Sequence, residues 1–445
     1  MTDRIVQRLL VGIIVVVAVG MAVHTPLTLW AGLQLPEYAL VIKAWKEILM
    51  GIGLALLIYA AARTQKVQAL LADRLMQLSL VYSGLHFVMM AIFQHGLDTA
   101  GAGLLIDLRY VLLFVLVYGT LYLYPVYRQL ILRAFALAAA VIIGFALLQV
   151  FVLPKDVLAT IGYSKETISP YLTVDDNEDY IRINGTLRGP NPLGAYAVIV
   201  IGLAVATAMR WKLGRRGVWL VIGGSAAAGV MLGASHSRSA MIAAAVALLA
   251  AVVIAAKPQV RRRIVIAASI VGVIGLGALY LLRDTSFVAN VILHDDPHIG
   301  AEVTSNAGHV DSLQDGTERM LRQPLGAGVG STGSASLIGS NPLIIENQYL
   351  FIAHEVGWLG LVVFAWLFGE ILRRLYMQRK SALALGVFAS GIGLAVIGLL
   401  LPVWVDDTVS ITWWGLAAVG VLKMGNRGWK TKKAGSGKKE KNHGV

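Results

Sequence analysis

The sequence contains no cysteine, and only 14% of its 445 residues are charged. The absence of cysteine excludes disulfide bonds and thiolate chemistry. With 57% hydrophobic residues, the chain has too little charge for a water-soluble protein of this length. The first apolar run, 9–23, continues past His24 to Trp30 without a small-residue cleavage site, so we expect no cleavable signal peptide. These absences indicate a polytopic membrane protein, and the chain shows no internal repeat.

Apolar runs of about 18–25 residues recur along the chain, and this is the length that crosses a bilayer as a helix. We therefore predict an all-α integral membrane protein with about twelve transmembrane helices. The predicted spans are 9–31, 38–62, 75–94, 101–124, 132–153, 191–210, 217–235, 239–256, 264–282, 346–368, 382–402 and 409–424.

The net charge of +13 is distributed as a topology signal rather than as a nucleic-acid surface. Most of the 38 lysines and arginines fall in the segments that are cytoplasmic if the N-terminus is cytoplasmic. Both termini are then cytoplasmic, and two long periplasmic loops are predicted at 154–190 and 283–345. Residues 1–424 form one membrane domain, and 425–445 form a basic tail that we expect to be disordered near anionic lipid.

The segment 309–360 departs from the pattern of a plain helix bundle. An amphipathic helix is predicted at 309–322, and a tight turn follows at Pro324, Gly326, Gly328 and Gly330. Three polar residues then open a long apolar run, namely Glu346, Asn347 and Gln348. An apolar helix needs no such beginning, so this cluster is a hypothesis for a functional site.

Cationic residues near the predicted outer face suggest an anion site. Arg182 and Arg188 flank a turn, and Asn191 stands at an N-cap position of the next helix. Arg238 lies in a very short outer turn, where an arginine needs an anionic partner from the protein or from a substrate. A capped helix with interfacial arginines is the alternative interpretation.

Polar residues inside other predicted spans are open to two interpretations. Lys46 is either a snorkelling lysine or part of a cationic wall around an anionic lipid head group. Asp107 and Arg109 do not face each other on a helix, so each is expected to pair with another helix. The pair Asp406-Asp407 is interpreted as solvated, with an acceptor-sugar contact as the alternative, and Trp413-Trp414 as an interfacial aromatic belt.

These elements, in this order, resemble the O-antigen ligase and polymerase superfamily of bacterial envelope glycosyltransferases. The resemblance covers about 180–362, and Trp45-Lys46-Glu47 is also similar. The motifs are Arg182–Thr186 with Pro190-Asn191, Ser237–Ser239, Pro324–Gly330, and Asn347–Leu350 with Glu355, Gly357 and Gly360. Ligases of the family typically carry His where this chain has Glu346, and often Arg where it has His309, which favours a polymerase-type branch.

The resemblance implies a reaction and its partners. A glycan would pass from a polyisoprenyl diphosphate carrier, such as undecaprenyl diphosphate, to a sugar hydroxyl at the periplasmic face of the bacterial inner membrane. The acceptor would be a second lipid-linked sugar in a polymerase and the lipid A core in a ligase. The family needs no cofactor and no metal, and a nucleic-acid partner is not expected.

The chemistry of this reaction suggests roles for the polar residues. Negative charge develops on the leaving diphosphate, and arginine binds phosphate with two parallel donors. A base must remove the proton of the attacking hydroxyl. We predict Glu346 as this base, with His309 as its partner or as a second proton carrier, and Arg238 as the third catalytic residue. The predicted substrate-binding residues are Arg182, Arg188, Asn191, Asn347 and Lys46.

We expect Arg182, Arg238 and Glu346 to share one cavity that opens to lipid and to the periplasm. A lipid or solute transporter is the rival function from another class. Many transporters have internal symmetry and broken helices at mid-membrane, and the sequence shows neither feature.

Overall fold

The computed structural model describes residues 2–168, 171–173, 180–210, 214–293 and 305–422. Every regular element in these ranges is a helix, as predicted. The α-helices are α1 (Thr2–Gly20), α2 (His24–Gln34), α3 (Ala39–Lys43), α4 (Trp45–Arg63), α5 (Val67–Leu71), α6 (Arg74–Ile92), α7 (Leu97–Leu123), α8 (Arg128–Phe151), α9 (Pro190–Arg210), α10 (Arg215–Ser235), α11 (Arg238–Ala255), α12 (Pro258–Leu281), α13 (Ser305–Arg322), α14 (Gly333–Ser336), α15 (Gln348–Met377), α16 (Ala382–Ile397) and α17 (Asp407–Val421). The predicted basic tail, 425–445, lies outside the described residues.

Nine helices in the described ranges are long and apolar enough to cross a membrane. They are α4, α6, α7, α8 with the 3-10 turn before it, α9, α10, α11, α12 and α15, and each coincides with a predicted span. Helices α16 and α17 contain only 16 and 15 residues. At about 1.5 Å per residue, both are shorter than the roughly 30 Å of a hydrocarbon core. The chain is thus a multi-pass helical protein, while the count of twelve spans and the side of each terminus stay predictions.

The first predicted span consists of two helices, because α1 and α2 meet at an angle of 85°. Pro26 lies in the first turn of α2, and a proline has no N–H to continue the helix from α1. At Gly20, the last residue of α1, a Cβ would lie 2.5 Å from the indole ring of Trp45. Helix α2 therefore runs nearly perpendicular to α1, and His24 at its beginning accepts a hydrogen bond from Trp45 at 2.9 Å.

An aromatic cluster between α7, α15 and α17 forms the centre of the bundle. Neighbouring ring centroids in it lie 4.8 Å (Tyr110 and Trp414) and 5.3 Å (Phe368 and Trp413) apart. Trp413 and Trp414 are fully buried, so the prediction of an interfacial belt is wrong. The prediction is wrong because α17 is surrounded by other helices, and every residue of this helix after Asp407 is buried.

Small residues let α9, α11 and α16 pack with their backbones close together. A Cβ on Gly202 of α9 would lie 2.8 Å from the carbonyl oxygen of Gly386 in α16. A Cβ on Gly393 of α16 would lie 2.7 Å from the carbonyl oxygen of Ala243 in α11. Such close approach is typical of helices in membranes. The hydrophobic effect does not drive helices together in lipid, and close van der Waals packing between small residues stabilises their contact instead.

The end of the bundle at which α4 and α15 finish has its own polar contacts. Asp73 caps α6 and accepts hydrogen bonds from Tyr118 and from Arg374, whose Nη1 lies 2.9 Å from Asp73 Oδ2. Glu370 also pairs with Arg374, at 2.9 Å. These contacts tie α6, α7 and α15 together at the end opposite to the cavities described next.

Candidate active site

A cavity of about 420 Å³ lies at the end of the bundle where α4 begins. Residues of α2, α3, α4 and α7 line it, together with Arg188, Ser334 of α14, Ile338 and Asp407 of α17. Its wall contains four cationic side chains and two carboxylates, namely Lys43, Lys46, Arg109, Arg188, Glu47 and Asp407. The excess of cations favours an anionic ligand.

Asp407 holds the inner part of this wall together. Its Oδ2 lies 2.8 Å from His24 Nε2, 3.0 Å from Lys46 Nζ and 3.1 Å from Arg109 Nη1. Glu47 lies 3.2 Å from Lys46 Nζ. Lys46 and Arg109 are only 2% and 7% exposed, so without these carboxylates their charges would be costly at this depth. The interpretation of Asp407 as a solvated residue is therefore wrong, whereas the expected pairing of Arg109 with other helices is observed.

A smaller cavity of about 160 Å³ adjoins the first, because Arg188 and Val405 line both. Its remaining wall is mostly apolar, with Asn191 and Asp406 as further polar residues. Asp406 caps α17 by accepting a hydrogen bond from the Val409 N–H at 2.9 Å. Burial and the neighbouring charge of Asp407 raise the pKa of Asp406 to about 7. This carboxyl group therefore changes its charge close to neutral pH.

Arg188 is the exposed cation at the junction of the two cavities. It stands two residues before Pro190, where α9 begins, and its Nη1 donates to Ser334 Oγ at 3.4 Å. The long contact and the exposure leave the guanidinium accessible to a ligand. Among the residues predicted to bind substrate, Arg188, Asn191 and Lys46 line these cavities.

Arg182 has a different position, buried between helix ends. Its Nε donates to the Ser235 carbonyl oxygen at 2.7 Å, and its Nη2 donates to Asn191 Oδ1 at 2.6 Å. Because Arg182 is only 4% exposed, it fixes the beginning of α9 against the end of α10. We expect Arg182 to act on the site through Asn191 rather than by contact with a ligand.

Arg238 is the first residue of α11, and its guanidinium contacts the chain after α12. Its Nη1 donates to the Leu293 carbonyl oxygen at 3.1 Å. The residues that line the two cavities include neither Arg238 nor Arg182 nor Glu346. Neither of these two cavities therefore brings the three residues together, and a cavity shared by Arg182, Arg238 and Glu346 stays a prediction.

Glu346 and His309 are brought together, as predicted for a base and its partner. His309 Nδ1 of α13 contacts Glu346 Oε2, and each side chain is about one-third exposed. The Glu346 N–H donates to Ser312 Oγ at 2.9 Å, which fixes this residue against α13. Ile345, the residue before Glu346, belongs to an apolar cluster against which Val405 packs, and Val405 lines both cavities.

Asn347 is the N-cap of α15. Its Oδ1 accepts hydrogen bonds from the N–H groups of Tyr349 and Leu350, at 2.9 and 3.0 Å, and its Nδ2 donates to the Leu399 carbonyl oxygen. All of these contacts are internal, so the amide serves to begin the helix at this place. A direct contact of Asn347 with substrate stays a prediction.

The glycine-rich segment 324–332 inserts into a kink of α15. Gly357 has φ 72° and ψ −178°, which interrupts the helix. The freed Trp358 N–H donates to the Pro324 carbonyl oxygen at 2.9 Å. Buried Glu355 accepts hydrogen bonds from the N–H groups of Gly330 and Thr332, at 3.1 and 3.3 Å. The segment that carries Ser334 to the cavity is therefore fixed by α15.

The comparison with protein families bears on the segment that contains this kink. Residues 223–365 match the family model described as O-antigen ligase. The predicted resemblance is confirmed. The matched segment spans about a third of the 445 residues and includes Arg238, His309, Glu346 and Asn347. No curated protein matches the chain. The match supports an O-antigen ligase or polymerase type of glycosyltransferase, which acts on lipid-linked glycans.

The cavity walls lie mostly outside the segment 223–365 that matches the family model. His24, Lys46, Arg109, Arg188 and Asp407 precede or follow it in the chain. Among these, sequence reasoning did not assign His24, Arg109 or Asp407 to the site. The available signal was that each is an ionisable residue inside or beside an apolar run, but the sequence does not show which of them meet.

Metal binding has no apparent site in the described ranges. No group of three or more His, Asp or Glu side chains there could hold a metal ion. Independence from metal remains what the family resemblance implies.

Proposed function

We propose that the protein transfers a glycan from a polyisoprenyl diphosphate carrier to a sugar hydroxyl, and that it acts as a polysaccharide polymerase. The observation that carries this proposal is the cationic cavity of Lys46, Arg109 and Arg188 beside the family segment that contains Glu346. A diphosphate carries the charge that such a wall binds, and arginine gives it two parallel donors.

Lipid access supports a lipid-linked donor. Leu40 of α3 and Leu105 of α7 line the larger cavity and are 55% and 40% exposed. Trp30 and Leu33 of α2 are also about half exposed. An apolar opening between α3 and α7 would let the polyisoprenyl chain remain in the bilayer while its diphosphate enters the cavity.

The reaction then requires one bond to form and one to break. The oxygen of the acceptor hydroxyl attacks the anomeric carbon of the donor sugar, and the bond from this carbon to the diphosphate oxygen breaks. The electron pair leaves with the diphosphate, where Arg188, Lys46 and Arg109 stabilise the added charge. Glu346 takes the hydroxyl proton, and His309 holds the Glu346 carboxylate in position.

The distribution of cations supports an active site at the periplasmic face of the inner membrane. The end of the bundle with Arg63, Arg373 and Arg374 would face the cytoplasm, as the positive-inside rule requires. The Glu-Asn pair at 346–347, in place of His-Asn, favours a polymerase over a ligase. In a ligase, the acceptor would be the lipid A core.

The experiment compares wild-type protein in lipid nanodiscs with the Glu346→Gln variant, each supplied with lipid-linked repeat units, either alone or together with lipid A core. We expect the wild type to lengthen the lipid-linked glycan and Glu346→Gln to lose about a hundredfold or more in rate, the typical size of general-base catalysis. Glu318→Gln is the matched control, since Glu318 lies exposed on α13 and pairs only with Arg322 in the described contacts. Full turnover by Glu346→Gln rejects the base assignment. Transfer to lipid A core but not to a second repeat unit identifies a ligase.

A further inference from the structure

In the proposed reaction the donor diphosphate occupies the larger cavity, so the smaller cavity is left without a ligand. We propose that it binds one sugar ring of the acceptor, and that Asp406 and Asn191 hydrogen-bond to the hydroxyl groups of this ring. The assignment of this sugar to the acceptor rests on the proposed function. It follows from the position of the smaller cavity, which adjoins the larger cavity at Arg188.

The wall of the smaller cavity has the two kinds of surface that a sugar ring presents. Ala195, Ile397, Leu401, Val403 and Val409 contribute apolar surface. A pyranose has apolar C–H faces and a rim of hydroxyl groups, so it needs both apolar and polar contacts. At about 160 Å³, the smaller cavity has less than half the volume of the larger one, which favours a single ring over a longer glycan segment.

Asp406 and Asn191 supply the polar contacts. Asp406 uses Oδ1 to cap α17, whereas its Oδ2 has no hydrogen-bond partner among the described residues. A buried carboxylate oxygen without a donor is costly, and a hydroxyl group of a bound sugar would supply the donor. Asn191 accepts a hydrogen bond from Arg182 at its Oδ1, which orients its Nδ2 amide as a donor.

The position of the cavity suits an acceptor rather than a second donor. Arg188 lies in the walls of both cavities, so a diphosphate at Arg188 in the larger cavity would lie next to a sugar in the smaller one. Its wall has one cation, Arg188, and one carboxylate, Asp406. A neutral sugar therefore fits the smaller cavity, whereas a diphosphate fits the larger one.

The test measures binding of small sugars to the full chain in nanodiscs by saturation-transfer NMR. The probes are methyl glycosides of glucose, galactose, mannose, rhamnose and N-acetylglucosamine. At about pH 8, where the Asp406 carboxyl is ionised, we expect at least one of them to bind the wild type, with Asp406→Asn weakening its affinity by about tenfold, as the loss of a charge-assisted hydrogen bond predicts. Leu401→Trp should abolish binding by filling the cavity.

Leu400→Trp is the control for Leu401→Trp, since Leu400 is the neighbouring residue, is 45% exposed and is not part of the wall. It should bind the glycoside like the wild type. If no glycoside binds the wild type, or if binding persists in Leu401→Trp, the inference is wrong. Binding of undecaprenyl diphosphate is measured on the same samples and should stay within about twofold in all three variants. If the wild type binds a glycoside but does not bind undecaprenyl diphosphate, the proposed function is wrong but the sugar site is not.

Discussion

Lys46 Nζ lies 3.0 Å from Asp407 Oδ2, and this ion pair joins the beginning of α4 to the beginning of α17. The two residues are far apart in the chain, and neither lies in the segment that matches the O-antigen ligase family. Because Arg109 and His24 contact the same Asp407 oxygen, this carboxylate sets the position of the cationic wall.

Replacing Asp407 should reduce the stability of the folded protein. Asp407→Ala leaves Lys46 and Arg109 buried with much of their charge uncompensated, and breaking a buried ion pair in this way costs about 3–5 kcal/mol. We expect a large drop in the free energy of unfolding, followed in nanodiscs by denaturant titration. The control is Asp3→Ala, which removes an exposed pair with Arg63 at 3.9 Å, and such pairs contribute about 0–1 kcal/mol. Equal effects of the two variants would contradict the assignment.

The kink at Gly357 should not tolerate a side chain. Its φ of 72° and ψ of −178° suit glycine, and a Cβ there would lie 2.7 Å from the Pro324 carbonyl oxygen. Gly357→Ala should therefore destabilise the protein by about 1–3 kcal/mol or more and displace the glycine-rich segment. Gly369→Ala in the same helix is the control, because no atom lies within 4 Å of its Cβ position. This variant should be neutral or more stable by about 0.5–1 kcal/mol. Thermal unfolding of both variants checks the difference.

Glu355 should be required as a hydrogen-bond acceptor. Glu355→Ala leaves the buried N–H groups of Gly330 and Thr332 without a partner, and each such group costs about 1–3 kcal/mol. Glu355→Gln retains a carbonyl oxygen that can accept these hydrogen bonds. It should therefore retain most of the stability that Glu355→Ala loses. Protease sensitivity of the segment 324–332, together with thermal unfolding, compares the two variants. If Gln is as harmful as Ala, the hydrogen bonds to Gly330 and Thr332 are not what makes Glu355 necessary.

Asp406 should make stability depend on pH. Its pKa of about 7 lies above the ordinary value of 3.8, because burial and Asp407 oppose ionisation more than Arg188 and Arg109 favour it. The unfolded chain therefore ionises at lower pH than the folded protein. The resulting destabilisation is absent at low pH, grows from about pH 4 to pH 7 and is complete above that.

Asp406→Asn removes this destabilisation and keeps the helix cap, since Asn and Asp cap equally well. We expect the variant to unfold a few degrees above the wild type at about pH 8, with a gain that shrinks toward pH 4. Thermal unfolding across this pH range measures the effect. A gain that is equal at all pH values would show that Asp406 does not titrate as described.

Local patterns in the sequence were enough to predict the helices. Nine predicted spans coincide with helices long enough to cross a membrane, because a long apolar run determines its own helical conformation in lipid. The break at Gly20 and Pro26 and the burial of Trp413 depend on which helices are neighbours. The sequence contains no direct record of these neighbours, so the break in the first span was not predicted and the aromatic belt was predicted wrongly.

The site was predictable to the extent that its residues are adjacent or carry a family motif. Glu346 and His309 were predicted as partners and are in contact. Arg188, Asn191 and Lys46 were assigned to the site and line the cavities. Asp407 was not assigned, because an acidic residue beside a helix is most often solvated and its three partners come from α2, α4 and α7.

The binding of a diphosphate at Arg188 is tested by the affinity of undecaprenyl diphosphate for the Arg188→Gln variant in nanodiscs. Arg188 is exposed and makes one long hydrogen bond, so its replacement should leave the fold intact. Arg322→Gln, which alters a 78% exposed side chain on α13, is the control. We expect Arg188→Gln to bind about tenfold more weakly than the wild type and Arg322→Gln to bind equally well. Unchanged affinity in Arg188→Gln would contradict a diphosphate site in this cavity.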